Sequence, residues 1–220
     1  MQLKKLLAIE SKVKENIIQK QLKTSVPNIV AVSKTFPIEE IMPLIEHGHI
    51  HFGENKIQEA ENKWLEIKNQ HQNIKLHLVG RLQSNKAKHA VKVFDYFHAL
   101  DSKKLADKIS NFENILNKKL KHFIQINFDN EKQKGGVLTK NLKEFYVYCT
   151  EKASLDVIGL MCLPPINSNT ENYFKQLKEL AKSVNLKELS MGMSSDYMLA
   201  LKHEASYLRL GSCIFGERKT

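Results

Sequence analysis

The chain has 220 residues, of which 42% are apolar, enough to bury a substantial core and too many for a disordered polymer. Its formal charge of +10 comes from 34 basic and 24 acidic residues, but the positive charges spread along the whole chain with no basic run interleaved with aromatics. That pattern describes a lysine-coated surface and argues against specific nucleic-acid binding, leaving nonspecific electrostatic contact as a minor reading.

Apolar and amphipathic stretches alternate from one end to the other. Leu3, Leu6, Leu7, Val13 and Ile17 fall on one face of an opening helix. Strands are then expected at Ile29–Ser33, His49–Phe52, Leu76–Val79, Tyr96–Leu100, Phe123–Asn127, Val157–Met161, Leu189–Met191 and Tyr207–Leu210. Helical patterns lie between them, at Ile38–Glu46, Lys56–Lys68, Ser102–Leu120, Leu142–Lys152, Thr170–Ser183 and Ser195–Lys202. The strand segments are apolar on both parities, as in sheets covered on both faces. Eight such strands predict an α/β fold, a (β/α)8 TIM barrel with an extra N-terminal helix, over residues 1–220 as one domain. A doubly wound open sheet is the competing arrangement.

Cys149, Cys162 and Cys213 are few, odd in number and in no CxxC pair, which fits reduced, mostly buried thiols. Leu6-Leu7-Ala8-Ile9 is too short for a secretion signal and meets Glu10. No apolar run is long enough to span a bilayer, so a cytoplasmic location is expected. The histidines show no metal-ligand spacing and no metal is expected.

In barrels of this kind, chemistry gathers where strands end. The first strand ends at Lys34, where partial burial favours a neutral amine able to attack an aldehyde; the plain alternative is a solvated lysine. Ser194, Ser195, Gly211 and Ser212 follow the seventh and eighth strands, where such barrels commonly hold a phosphate on free amides and hydroxyls. Arginine is scarce, with only Arg81, Arg209 and Arg218. A chain that uses lysine nearly everywhere is expected to keep arginine where a planar, permanently charged fork is needed.

Several stretches together resemble one family. They are Ala31-Val32-Ser33-Lys34-Thr35; Phe52-Gly53-Glu54-Asn55 with Gln58-Glu59; Leu78-Val79-Gly80-Arg81-Leu82-Gln83-Ser84-Asn85-Lys86; Leu189 to Asp196; and Arg209 to Arg218, with Gly159-Leu160-Met161 as a weaker sixth. The chain is similar in these to the pyridoxal phosphate (PLP) homeostasis proteins. The resemblance implies a fold type III PLP barrel like the N-terminal domain of alanine racemases. It implies a Schiff base on Lys34, the phosphate on Ser194, Gly211 and Ser212, and Arg209 near the pyridine nitrogen, with Asn55 and Met193 lining the pocket. It also implies an intracellular role in vitamin B6 homeostasis, with PLP-dependent apo-enzymes as partners.

An arginine at the pyridine nitrogen has a chemical consequence. It cannot give up a proton, so the ring nitrogen stays unprotonated and the ring is a poorer electron sink. Racemisation also needs an acid/base group on each face of the substrate carbon. Lys34 can serve one face, whereas Tyr197, early in a helix, reads more simply as packing. Only Lys219 and Thr220 follow Arg218, so no second domain is expected to supply the other group. The expectation is a monomeric PLP carrier with no catalytic residues, and the alternative is a small PLP-dependent racemase. Glu54 reads either as an acid/base group or as a cap for the following helix, and His77 as an interior residue satisfied by a hydrogen bond.

Overall fold

The computed structural model describes residues 1–22, 24–129, 135–165 and 169–217. Arg218, Lys219 and Thr220 lie outside the described residues. The strands are β1 (Asn28–Val32), β2 (His51–Glu54), β3 (Lys75–Leu78), β4 (Tyr96–Leu100), β5 (Lys121–Asn127), β6 (Val137–Leu138), β7 (Asp156–Met161), β8 (Glu188–Ser190) and β9 (Tyr207–Leu210). All but β6 form a closed parallel barrel. Its order runs β4-β3-β2-β1-β9-β8-β7-β5, and β5 pairs back onto β4. The two-residue β6 pairs with β5 outside the ring. The expected eight-stranded barrel is therefore the observed one, and the open sheet is not.

The helices are α1 (Gln2–Gln19), α2 (Ile38–Glu46), α3 (Ile57–Gln70), α4 (Ala87–Val93), α5 (Lys103–Ile115), α6 (Leu142–Val147), α7 (Thr170–Ser183), α8 (Tyr197–Lys202) and the single turn α9 (Ser212–Phe215). The extra helix α1 buries Leu6, Ile9 and Val13 and packs beside α2 and α9. Helices α4 and α9 and strand β6 are additions to the elements read from the sequence.

Several boundaries differ from expectation, and at the start of β2 and the end of α5 a local reason is visible. Strand β2 starts two residues late because Gly48, at φ +93°, closes α2, and the His49 N–H is spent on Leu44 O. Helix α5 stops at Ile115 rather than Leu120. Asn117 turns left-handed (φ +46°), and the buried Glu113 carboxylate takes the Leu120 N–H at 2.9 Å and His122 Nε2 at 2.9 Å, pulling the chain into β5. Helix α6 ends at Val147, and Tyr148–Lys152 continues as a wider π-helical turn.

The outer layer of the core lies between strands and helices, as where Phe52 packs on Trp64. The barrel interior is unusual for its aromatic and polar content. Tyr96, Tyr207, Phe123, His51, His77 and His98 stack around one another, with ring centroids 4.1–6.2 Å apart. No helix among the described residues is long and apolar enough to cross a membrane.

Candidate functional site

At the C-terminal ends of the strands lies a cleft of about 780 Å³, within the usual range for small-molecule sites. Lys34, Asn55, Met193, Ser194, Arg209, Gly211 and Ser212 all line it. Strand pairing explains the convergence. β1 runs beside β9, with Val30 opposite Arg209 and Ala31 opposite Leu210. The chain just past the first strand therefore lies against the chain just past the last.

The two neighbours of Lys34 are clamped to the outside of the barrel. Ser33 Oγ donates to Glu54 Oε1 (2.8 Å), and Ser33 O accepts from Lys63 Nζ (3.0 Å). The Thr35 N–H donates to Glu59 Oε1. Thr35 stands at φ +69°, a conformation that β-branched residues rarely adopt and that needs such outside support. Glu54 is the hub. It is fully buried, and its Oε1 also accepts from Trp64 Nε1 and Lys63 Nζ, both at 2.9 Å. Burial pushes its pKa above the ordinary carboxylate range, while the Lys63 charge and three donated bonds pull it back. Glu54 is not a helix cap: α3 begins at Ile57 behind Lys56, with no side-chain cap bond. Nor does it line the cleft.

Asn55 follows β2 and is packed by the loop after β3. A Cβ on Gly80 would stand 2.4 Å from Asn55 O, so only glycine lets that loop cross so closely. Across the cleft, Gly192 at φ +87° turns the chain after β8, and a Cβ there would meet Ala200 at 2.6 Å. That turn presents Ser194, whose Oγ accepts from Gly211 N (3.3 Å) and Cys213 N (3.2 Å). Two backbone amides thus converge on one oxygen, the arrangement that holds an oxyanion. At Gly211 itself the protein leaves room: a Cβ would meet nothing nearer than Val32 O at 3.4 Å, with φ at −114°.

Arg209, although it lines the cleft, is only 5% exposed. Its Nη1 donates to Ser190 Oγ (2.6 Å) and its Nη2 to Cys162 O (2.9 Å), both neutral oxygens. Burial lowers its pKa, and burial pushes the neighbouring Cys162 thiol up to about 12. Ser190 also contacts His98 Nδ1 at 2.7 Å. His98 Nε2 meets His77 Nδ1, and His77 Nε2 meets His51 Nδ1, each at 2.9 Å. His77 is thus an interior residue satisfied by hydrogen bonds, as expected, but it belongs to a row that sequence reading missed.

Burial holds all three histidines below their ordinary range, His51 at about 4 and the other two also well below it. Above pH ~6.5 these groups are neutral in both folded and unfolded chains. As pH falls below that value, the unfolded chain binds protons that the folded one refuses, so stability falls, and the His51 contribution to that fall ends near its folded pKa of about 4. The two fully buried rings contribute in the same direction. Urea midpoints measured from neutral pH down to about pH 4.5 should drop accordingly; a flat profile would contradict charge-neutral burial.

Other singled-out residues do not join the cleft. Tyr197 is half-buried and does not line it, and neither does His77. Arg81 is exposed and lines a separate cleft of about 450 Å³ with Ser84, Asp101 and Lys104. Conversely, sequence reading missed an apolar wall. Phe36, stacked on Phe215 at 5.1 Å, lines the cleft with Val79 and Leu163. The signal available was position alone, since Phe36 lies two residues past Lys34 and Val79 one past β3.

The sequence profile of the alanine racemase N-terminal domain matches residues 10–219. A pyridoxal phosphate homeostasis protein of Aquifex aeolicus is 38% identical over 202 residues, covering 87% of each chain. PipY of Synechococcus elongatus, solved with PLP bound, superposes with a TM-score of 0.78 at 31% identity, covering 93% of this chain and all of that one. An alanine racemase of Clostridium difficile shares the fold, with a TM-score of 0.67 at 14% identity; this chain spans 56% of it. Strand order, cleft position and these likenesses agree: the chain belongs to the family of the alanine racemase N-terminal domain and, within it, to the pyridoxal phosphate homeostasis proteins.

Proposed function

We propose that this protein binds pyridoxal phosphate in the cleft, holds it covalently and reversibly on Lys34, and serves PLP homeostasis as a carrier for PLP-dependent apo-enzymes. One observation carries the reading: an amine, a serine hydroxyl that gathers two backbone amides, and a buried guanidinium line the same cleft. The cleft also fits the group chemically. The space left at Gly211, where nothing in the protein demands glycine, suits an oxyanion drawn onto the Gly211 and Cys213 amides with Ser194 and Ser212. The likeness to PipY with PLP bound supports the same reading.

When bound, the cofactor supplies an aldehyde that condenses with a lysine amine to a Schiff base, releasing water. The protein's own contributions are positional. Glu54, Glu59 and Lys63 fix the backbone on both sides of Lys34. Ser194, Ser212 and the amides around Gly211 hold the phosphate end. Arg209 presents a donor that never yields its proton, so the ring nitrogen remains an acceptor. That arrangement favours holding over carbanion chemistry.

Among the described lining residues, the one carboxylate is Glu217, exposed at the rim. It is the group a racemase reading would have to recruit opposite Lys34. Incubation of PLP-loaded protein with single amino-acid enantiomers should leave chirality unchanged. Steady turnover that Lys34→Ala and Glu217→Gln each abolish would establish the enzyme instead. The binding reading itself is tested by borohydride reduction of loaded protein and peptide mass mapping. A pyridoxyl adduct on the Lys34 peptide is expected; an adduct elsewhere, or none, would overturn the assignment.

A further inference from the structure

Arg209 is one end of a polar row that crosses the barrel interior. The row passes through Ser190 on β8, His98 on β4, His77 on β3 and His51 on β2, in contacts of 2.6, 2.7, 2.9 and 2.9 Å. Every member but His51 is buried, and His51 reaches partial exposure at the N-terminal end of its strand.

The chemistry of the Arg209 end orders the whole row. A guanidinium only donates, so Ser190 Oγ must accept from it. The Ser190 hydroxyl proton then has His98 Nδ1 at 2.7 Å to receive it. An imidazole that accepts at Nδ1 and is neutral carries its proton on Nε2, so His98 Nε2 donates to His77 Nδ1. The same step repeats from His77 to His51. One donor-only group thereby sets three tautomers and leaves the last proton on His51 Nε2. The opposite sense would have His98 donate to a hydroxyl already accepting from Arg209, and would leave the Ser190 proton in need of another acceptor. The rings are also held face-on: Tyr96 stacks on His77 (4.1 Å, 16°) and Phe123 on His98 (4.4 Å, 27°).

We propose that Ser190, His98, His77 and His51 are positioning residues, forming a proton-ordered strut that holds the Arg209 guanidinium against the cleft, and that His51 registers at the far end whether a ligand's ring nitrogen engages Arg209. The second half rests on the reading of the cleft as a PLP site. The strut does not conduct protons, because the guanidinium keeps its own. What it carries is orientation: a fully satisfied buried network admits one arrangement where an apolar core would admit several. Removing the Ser190 hydroxyl takes the acceptor from Arg209 and the donor from His98 together.

The first arm of the test needs no variant and no cofactor. Long-range ¹H–¹⁵N correlation spectra of the full, histidine-labelled chain near neutral pH report tautomers directly. Neutral Nε2–H forms are expected for His51, His77 and His98. An Nδ1–H form or an imidazolium at His77 or His98 overturns the ordering. In the second arm, pyridoxal phosphate is added to the wild type, Ser190→Ala and Ser190→Thr. The His51 resonances should move on addition in the wild type and not in S190A. S190A should also bind about tenfold more weakly and show mixed His98 tautomers, with threonine restoring all three properties. Equal binding and an equal His51 response in S190A overturn the strut. A wild type that takes up no pyridoxal phosphate overturns the cleft reading and the registering role with it, while the cofactor-free tautomers still decide the ordering.

Discussion

Lys34→Ala is expected to abolish the borohydride-trapped adduct and the visible absorbance of loaded protein. The chain contains 31 lysines, its 34 basic residues less three arginines, so random modification would barely register the loss of one. Selectivity has to come from the cleft. Ser33 and Thr35 are pinned from outside the barrel, and the Gly211 and Cys213 amides, proposed to hold the phosphate, follow β9 on the other side of the β1–β9 seam. That positioning raises the effective concentration of one amine over all the others. Residual, non-covalent binding through Arg209, Ser194 and Ser212 should survive in the variant and be measurable by dialysis. Because Lys34 follows β1 rather than lying within it, the melting temperature should change little. An adduct retained at wild-type yield would place the attachment on another lysine and remove the central assignment.

Glu54→Ala should be the most destabilising single change near the cleft. The carboxylate is fully buried and gathers Ser33, Lys63 and Trp64 onto one oxygen. Its removal leaves the Trp64 N–H and the Ser33 hydroxyl without their acceptor and leaves the Lys63 ammonium, its side chain 10% exposed, with Glu59 as ion-pair partner. Breaking such a buried pair costs about 3–5 kcal/mol, which in a chain of this size lowers the melting temperature by roughly 6–20 °C. Glu54→Gln keeps an acceptor and loses only the charge, so it should cost less, on the order of 1–3 kcal/mol. The alanine variant should also trap less cofactor on Lys34 at temperatures where it remains folded, because Ser33 loses its bond to Glu54 while Thr35 keeps its bond to Glu59. Calorimetry and the reduction assay measure the two effects separately. A cost below ~1 kcal/mol for Glu54→Ala would mean that the network is not coupled to folding.

Much of the barrel was legible because its signals are local. Tyr96–Leu100 and Tyr207–Leu210 read as strands from runs of apolar residues, and both are strands with those bounds. Helices Ile38–Glu46 and Thr170–Ser183 likewise end where periodicity ends. Where a tertiary contact intervenes, local reading fails. The helical pattern ahead of β5 ran on to Leu120, but Glu113 captures the Leu120 amide and stops it. Arginine scarcity pointed to Arg81, Arg209 and Arg218 alike, yet of the two among the described residues Arg209 lines the cleft and Arg81 does not. Composition can say that a guanidinium is wanted, but not on which loop it stands. The histidine row had a faint signal: His51, His77 and His98 are separated by 26 and 21 residues, close to one strand-helix interval, so they recur on consecutive strands. Without register, such spacing does not say that three rings meet.

The sequence by itself determined the alternation of strands and helices, the eight-strand count, and the polar residues set just past the strands, because each depends on neighbours a few positions away. Only the tertiary structure decided that Lys34 and Gly211 share a cleft, that Glu54 braces the lysine loop instead of capping a helix, and that three scattered histidines align behind Arg209. The reason is closure. Pairing the first strand with the last brings together residues that are remote along the chain, and no local pattern carries the register that puts one atom opposite another.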